Sequence, residues 1–324
     1  MTNLQVRKMR FGFADHDVPF LWNETNPAFS AMANAVSFLA IAFEKMIVTT
    51  MAEAKPLLTD PVIAEEADAF TRQEGQHSMA HRQHARGLIK AYPALKETLD
   101  EVIAAFDDLV DTKPLKYRLA YTADLEATFT PVFKLMLDHD DTLFAPGDDR
   151  VASLFLWHFV EEVEHRSSAL IIYDGLVDDP WYRMRVAPSI FKHVLDVVRL
   201  ACDGFNKHIP LEVRKVDAVS TFALERRKNQ FLTRIGRRPD YGPLANAFAH
   251  LPKREMATAL AGIVRSQIPG HNPEHEKLPA LAAQWFDRFD AGYDVTKWYT
   301  ANGAAAGSGK LNAGGFEDKE AAGV

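Results

Sequence analysis

Glutamate and histidine recur in this chain at a spacing that suits metal coordination. Two Glu-x-x-His quartets, Glu74–His77 and Glu162–His165, lie far apart in the sequence. Positions i and i+3 of a helix lie within about 60° of one another, so the carboxylate and imidazole of each quartet can face the same point. Glu44 and Glu126 each precede one quartet, among apolar residues. Glutamates and histidines in this order are the donor set with which a four-helix bundle holds two metal ions.

Capping residues and prolines mark the helices that must carry these side chains. Asn26-Pro27 and Asp60-Pro61 each place a capping side chain before a proline at the first helical position, and Tyr92-Pro93 ends the second helix. We predict four helices, over residues 27–54, 61–91, 114–137 and 149–173. Glu74 and Glu126 are 52 positions apart, which leaves room for a crossover connection that is itself helical over residues 96–111.

The expected fold is all-α, a ferritin-like four-helix bundle with additional C-terminal helices. We divide the chain into an N-terminal segment (1–25), the metal-binding bundle (26–178), C-terminal helices that pack on it (179–300) and a flexible tail rich in Gly and Ala (301–324). Within the third part, helices are predicted over Trp181–Lys207 and from Leu211 to about Ile235. We interpret a basic cluster there as a solvated helix face rather than a site for an anionic partner: Arg226, Arg227, Lys228, Arg234, Arg237 and Arg238.

Further polar residues lie near the two quartets. His158 comes one helical turn before the second quartet, on the same face, and is the seventh candidate ligand. His81 is either a further ligand or a hydrogen-bond partner of one, whereas His84 is expected to be exposed. Glu161 lies at the edge of the face, where it can orient a ligand, and Glu164 is expected to be a solvated surface charge.

Glu44 gives the strongest reason to expect a cation. It follows a nearly continuous apolar stretch, and an unpaired carboxylate buried there would cost several kcal/mol in desolvation. Glu126 poses a milder form of the same problem. Pro131, five residues later, should kink or break its helix near the site, which would either open space for a substrate or serve packing alone.

Composition excludes several classes of protein. The chain has 324 residues, 47% of them hydrophobic, and a net charge of -7, so a large core is expected and nucleic-acid binding is not. Cys202 is the only cysteine, which excludes thiolate-rich metal sites. The uncharged stretch 25–43 contains several polar residues and then meets Glu44, so we expect a buried helix, no membrane span and a cytoplasmic protein.

Four segments carry a family resemblance: Asn34–Ser37 with Phe43-Glu44, Gln73–His81, Leu119–Glu126 and Trp157–His165. They resemble the family labelled predicted metal-dependent hydrolases, a branch of the ferritin-like di-metal proteins, over roughly residues 15–275. The additional His158 also resembles the arrangement in di-iron arylamine N-oxygenases, which have a third histidine one turn before the second quartet. The resemblance implies a two-metal centre but does not settle the reaction.

Three functions follow from this donor set. Carboxylates and imidazoles suit iron, with manganese or zinc as alternatives. The first hypothesis is a di-iron oxygenase acting on a small apolar or amine-bearing substrate, with an electron donor and a second copy of the chain open as partners. The alternatives are a two-metal hydrolase and a non-enzymatic iron-binding protein. The residues expected to be catalytic are Glu44, Glu74, Glu126 and Glu162, and the expected ligands are those four with His77, His158 and His165.

Overall fold

The computed structural model describes residues 4–222 and 230–301. Helices are the only regular secondary structure in those two ranges, so the predicted all-α class is confirmed. The long helices are α1 (Pro27–Ala54), α2 (Pro61–Ala91), α3 (Leu95–Thr112), α4 (Leu115–Leu137), α6 (Asp149–Glu164), α7 (Ser168–Leu176), α8 (Tyr182–His208), α10 (Lys253–Ser266) and α11 (Ala280–Asp290). Single turns form α5 (Asp140–Leu143), α9 (Leu211–Arg214) and α12 (Trp298–Ala301).

Four of these helices surround the candidate site. Helix α1 packs on α2 and α4 packs on α6, while α1 also contacts α4 and α2 contacts α6. Each of the four thus contacts two of the others and can present side chains to a shared interior. Helix α3, the predicted helical crossover, packs against α1.

Helix α1 lies in the middle of the core. Its start follows the capping prediction, because the Asn26 side chain accepts a hydrogen bond from the backbone N–H of Phe29, with Pro27 at the first helical position. Within the described ranges, the segment Pro27–Leu57 alone is long and apolar enough to cross a membrane, but 67% of its most apolar window is buried by the rest of the protein. A core helix passes the same test, so this is weak evidence for a span.

The fourth predicted helix is shorter than expected. It ends at Glu164 rather than near residue 173, and α7 begins at Ser168 after a short turn. His165 caps α6 with φ -93° and ψ 16°, outside the α-helical region, so the histidine of the second quartet leaves the helix one residue after its last turn. The turn contains neither glycine nor proline, so no helix-breaking residue marks it in the sequence.

The region after α8 also differs from the prediction. The helix expected from Leu211 to Ile235 stops at Arg214, because Lys215 adopts a left-handed conformation with φ 61°. A 3₁₀ turn follows at Ala218–Thr221. Of the predicted basic cluster, residues 226–228 lie outside the described residues, and Arg238 is not free in solvent, since its guanidinium pairs with the buried carboxylate of Asp217.

Helix α4 runs unbroken past Pro131, so the predicted break does not occur. Helix α10 packs on α4 at this point, and Gly262 makes the approach close: a Cβ built there would lie 2.8 Å from Cβ of Pro131. The surface beside Pro131 is therefore covered by protein. Helix α8 packs on α1, α3 and α4. The tail predicted from residue 301 onward lies almost entirely outside the described residues.

Candidate metal centre

All seven predicted ligands lie together between α1, α2, α4 and α6. None is more than 4% exposed. Glu44 comes from α1, Glu74 and His77 from α2, Glu126 from α4, and the remaining three from α6 and its C-terminal cap. Helical spacing thus brings residues from distant parts of the sequence into one buried cluster.

The first donor group contains the three glutamates Glu74, Glu126 and Glu162 and the imidazole of His165. His165 Nε2 lies 3.2 Å from Glu74 Oε1, 3.4 Å from Glu126 Oε2 and 3.1 Å from Glu162 Oε2. One donor atom from each of the four residues lies within 4.8 Å of the other three. These four residues could hold a metal ion between them.

The second donor group is built around His77 and His158. His158 Nε2 lies 3.4 Å from Glu44 Oε1 and 2.9 Å from Glu162 Oε1, and His77 Nδ1 lies 3.5 Å from the same oxygen of Glu162. Glu44, Glu74 and His77 also have donor atoms within 4.8 Å of one another. Glu74 and Glu162 therefore each belong to two of the donor groups.

Unpartnered atoms in this cluster fit bound cations. Both carboxylate oxygens of Glu74 and of Glu126, one oxygen of Glu44 and Nδ1 of His77 are buried with no hydrogen-bond partner among the described residues. Buried polar atoms are nearly always hydrogen-bonded, and a single unsatisfied one costs about 1–3 kcal/mol. Six such atoms lie in one cluster, and its Glu and His groups could hold metal ions.

The ionisation of the cluster gives a second sign of this need. Burial, opposed by nearby His77, raises the pKa of Glu44 well above its usual range, and burial with repulsion from Glu162 raises the pKa of Glu74 to about 7. Burial and the charge of Glu162 likewise raise the pKa of Glu126. Without a nearby cation these shifts favour the protonated form of Glu44, Glu74 and Glu126, whereas the neighbouring histidines lower the pKa of Glu162 despite its burial.

The histidines show the complementary behaviour. Burial works against charging His165, but the negative charge of Glu162 and the nearby carboxylates of Glu126 and Glu74 raise its pKa well above the ordinary imidazole value. Burial likewise opposes charging His77, yet its hydrogen bond with Glu161 and the nearby carboxylate of Glu162 raise its pKa. His158 differs, because burial and the nearby His77 lower its pKa to about 4. A neutral imidazole is the form that binds metal.

Outer hydrogen bonds fix which ring nitrogen faces the cluster. His77 Nε2 lies 2.8 Å from Glu161 Oε2, so its Nδ1 faces the donor groups. His165 Nδ1 lies 3.1 Å from Gln73 Oε1, so its Nε2 faces them. Such partners commonly set the tautomer of a metal-binding histidine. The expectation that Glu161 orients a ligand agrees with this contact.

A chain of hydrogen bonds leads away from His158. Its Nδ1 lies 2.8 Å from His81 Nε2, and His81 Nδ1 lies 2.8 Å from Ser37 Oγ. Ser37 Oγ in turn lies 2.8 Å from His84 Nδ1. Both ring nitrogens of His81 are engaged here, which favours the role of hydrogen-bond partner over that of ligand, although His81 is also within reach of Glu44.

Two outer residues differ from the sequence prediction. His84 is fully buried rather than exposed, because it packs against the rings of Phe13 and Phe155. Glu164 is not a free surface charge, since it pairs with Arg7 and accepts a hydrogen bond from Gln73. These two errors have the same cause. Phe13 and Arg7, from the segment before α1, cover His84 on α2 and Glu164 on α6, which the pattern of four helices alone would leave exposed.

Sequence reasoning missed Arg7, Gln73 and Ser37. Gln73 directly precedes the first quartet, and polar residues beside ligands are a general signal for outer hydrogen bonds. Arg7 lies in the N-terminal segment, whose path over α2 and α6 has no local signature.

An aromatic wall lies on one side of His158, where the ring centre of Phe133 is 6.3 Å from that of His158 and 3.9 Å from that of Phe159.

A family model described as "Predicted metal-dependent hydrolase" matches residues 5–242. The match covers well over half of the chain, so the protein belongs to that family, whose description agrees with a buried cluster able to hold metal ions. No curated protein and no solved structure matches the chain.

Proposed function

We propose that this protein is a metal-dependent enzyme with a two-metal centre, and that its reaction is hydrolysis. The observation that carries the first part is the convergence of four carboxylates and three imidazoles, two of the carboxylates shared between both donor groups. The description of the family supports the second part. Iron, manganese and zinc all suit this set of oxygen and nitrogen donors.

The chain's own residues have distinct tasks in this proposal. Glu74 and Glu162 would bridge the two positions, His77 and His158 would complete one with Glu44, and His165 would complete the other with Glu126. Cations held there would supply Lewis-acid polarisation of a substrate and of a water molecule. Glu44 and Glu126 neighbour one position each. Each has a carboxylate oxygen without another hydrogen-bond partner among the described residues, which could accept a proton from that water.

The surroundings favour a substrate with an apolar part. Phe133 and Phe159 stack beside His158, and Phe129 extends the wall with its ring centre 4.9 Å from that of Phe133. Rings at this position would contact an apolar group and exclude bulk water from the cluster. An ester with an apolar acyl or alcohol part has the chemistry that these rings would contact.

Oxidation by an iron pair is the second candidate. It is favoured by the depth of the site: every donor is at most 4% exposed, between four long helices and beside stacked aromatic rings. Ferritin-like proteins that use dioxygen hold two irons with this kind of donor set. The substrate would be a small apolar or amine-bearing molecule, and an electron donor would be required.

One comparison separates the two candidates. Protein loaded with Zn²⁺ and protein loaded with Fe²⁺ would each be assayed against a panel of apolar esters without reductant, and against dioxygen with a chemical reductant. Ester turnover by the zinc form, lost in Glu126→Leu, supports hydrolysis. Dioxygen consumption by the iron form alone, with no ester turnover in either form, would overturn hydrolysis in favour of the second candidate.

A further inference from the structure

The guanidinium of Arg7 lies directly behind the two quartets. It is 5% exposed, and its Nη1 donates to Glu161 Oε1 at 2.9 Å and to Glu164 Oε2 at 2.8 Å. Its Nη2 donates to Glu164 Oε1 at 3.0 Å. The planar guanidinium donates to both carboxylates and so fixes the positions of Glu161 and Glu164. The ammonium of a lysine has no such planar set of donors and would fix them less well.

Each of these acids leads to one quartet histidine. Glu161 contacts Arg7 through one carboxylate oxygen and His77 Nε2 through the other. Glu164 Oε2 accepts from Gln73 Nε2 at 2.9 Å, and the Gln73 carbonyl oxygen faces His165 Nδ1. Two branches therefore run from one arginine, and each ends on the imidazole nitrogen that points away from the donor groups.

Helix α11 closes the other side of Arg7. The guanidinium carbon lies 4.8 Å from the ring centre of Phe286, 5.4 Å from that of Phe289 and 5.8 Å from that of Trp285. These distances are within the range of cation–π attraction, which strengthens when the cation is shielded from water. The aromatic face of α11 thus holds the fork against α6 and α2.

We propose that Arg7 is a positioning residue that holds both quartet histidines in the orientation and tautomer for metal binding. The proposal rests on the two-metal centre proposed above. Arg7 itself contacts none of the seven candidate ligands through the hydrogen bonds described. It acts through Glu161 on His77 and through Glu164 and Gln73 on His165, so one side chain in the N-terminal segment serves both metal positions.

The branched arrangement predicts a specific pattern of losses. Replacement of an outer partner of a metal ligand commonly reduces metal affinity by about 10- to 100-fold. Glu161→Leu should weaken only the position completed by His77, and Gln73→Met only the position completed by His165. Arg7→Met, which keeps an unbranched apolar chain beneath α11, should weaken both.

Binding of Co²⁺ to the full chain tests this pattern. Calorimetric titration should show two Co²⁺ per wild-type chain and about 10- to 100-fold weaker binding at both positions in Arg7→Met. Arg118→Met is the matched control, because Arg118 is equally buried, at 4% exposure, and makes a two-pronged contact with Glu53 instead. It should bind two Co²⁺ with unchanged affinity.

A spectroscopic measurement distinguishes positioning from a general loss of structure. Ring N–H protons of Co²⁺-bound histidines give strongly shifted, exchangeable NMR signals. Those of His77 and His165 should exchange faster with solvent in Arg7→Met, while that of His158, whose outer partner is His81, should not change. Equal exchange for all three would contradict a positioning role.

The outcomes separate this proposal from the one it rests on. If the wild type does not bind two Co²⁺, the two-metal centre is wrong. If it does, and Arg7→Met binds both as tightly, the positioning role of Arg7 alone is wrong. If Arg7→Met does not fold, Glu161→Leu and Gln73→Met provide the test instead. Co²⁺ affinity equal to that of the wild type at both metal positions in those two variants would also overturn the proposal.

Discussion

Replacing Glu126 by leucine should have opposite effects on the metal-free and the metal-loaded protein. In the metal-free state both Glu126 oxygens are buried without a hydrogen-bond partner in the described structure, next to Glu74 and Glu162. An unsatisfied buried polar group costs about 1–3 kcal/mol. A leucine of similar volume removes that cost, so the free energy of unfolding of the metal-free protein should rise by about the same amount.

The metal-loaded protein should lose stability instead. A cation present at 100 times its dissociation constant adds about 2.7 kcal/mol to the free energy of unfolding. Glu126→Leu removes a donor from the position that His165 completes, so most of this contribution should be lost there. For domains of 150–250 residues, 1 kcal/mol shifts Tm by about 2–4 °C, so both effects amount to several degrees.

Thermal unfolding by circular dichroism, with chelator and with Co²⁺, measures both effects. Glu66→Leu is the matched control: Glu66 is a buried glutamate on α2 whose carboxylate accepts a hydrogen bond from Ser168, outside the cluster. It should lower Tm in both states and leave two Co²⁺ per chain. The reasoning is refuted if Glu126→Leu keeps two ions, or if it lowers the Tm of the metal-free protein as Glu66→Leu does.

Three further results are expected. The pKa of Glu74 is raised to about 7 in the metal-free state, so metal binding should release protons and strengthen as pH rises through 7. Calorimetry in buffers of different ionisation enthalpy measures the release, and the absence of any release would contradict this expectation. Ser37→Ala removes the hydroxyl that joins His81 to His84, so we expect weaker Co²⁺ binding only at the position completed by His158, and loss at both would be inconsistent with that chain. Burial raises the pKa of Asp140 from 3.8 to about 6, so its ionised form destabilises the fold above pH 6. Asp140→Asn should therefore raise the free energy of unfolding at neutral pH by at most about 3 kcal/mol. Chemical denaturation at several pH values measures this gain, which should disappear below about pH 4.

The sequence predicted best what depends on local periodicity. Helices α1 and α2 begin and end at the predicted residues, because Pro27 and Pro61 with their capping neighbours are strong local signals. The convergence of the seven candidate ligands followed from helical spacing, which is also a local property. The two-group arrangement, with Glu74 and Glu162 between the groups, needed the relative placement of helices and came only from the structure.

What the sequence did not predict depends on contacts between distant segments. The end of α6 at Glu164 and the left-handed Lys215 each interrupt an apolar pattern that continues on both sides. The burial of His84 and the pairing of Glu164 depend on where residues 4–25 run. No periodic pattern marks that extended segment, so the contact between Arg7 and both quartets could not be inferred from spacing.

The most direct test of the two-metal centre is anomalous X-ray diffraction from crystals grown with Co²⁺. We expect two peaks about 3.5–4 Å apart, the separation usual for paired catalytic ions, one near His77 and His158 and the other near His165. Glu74 and Glu162 should lie between them. A single peak, or metal bound away from these residues, would contradict the account.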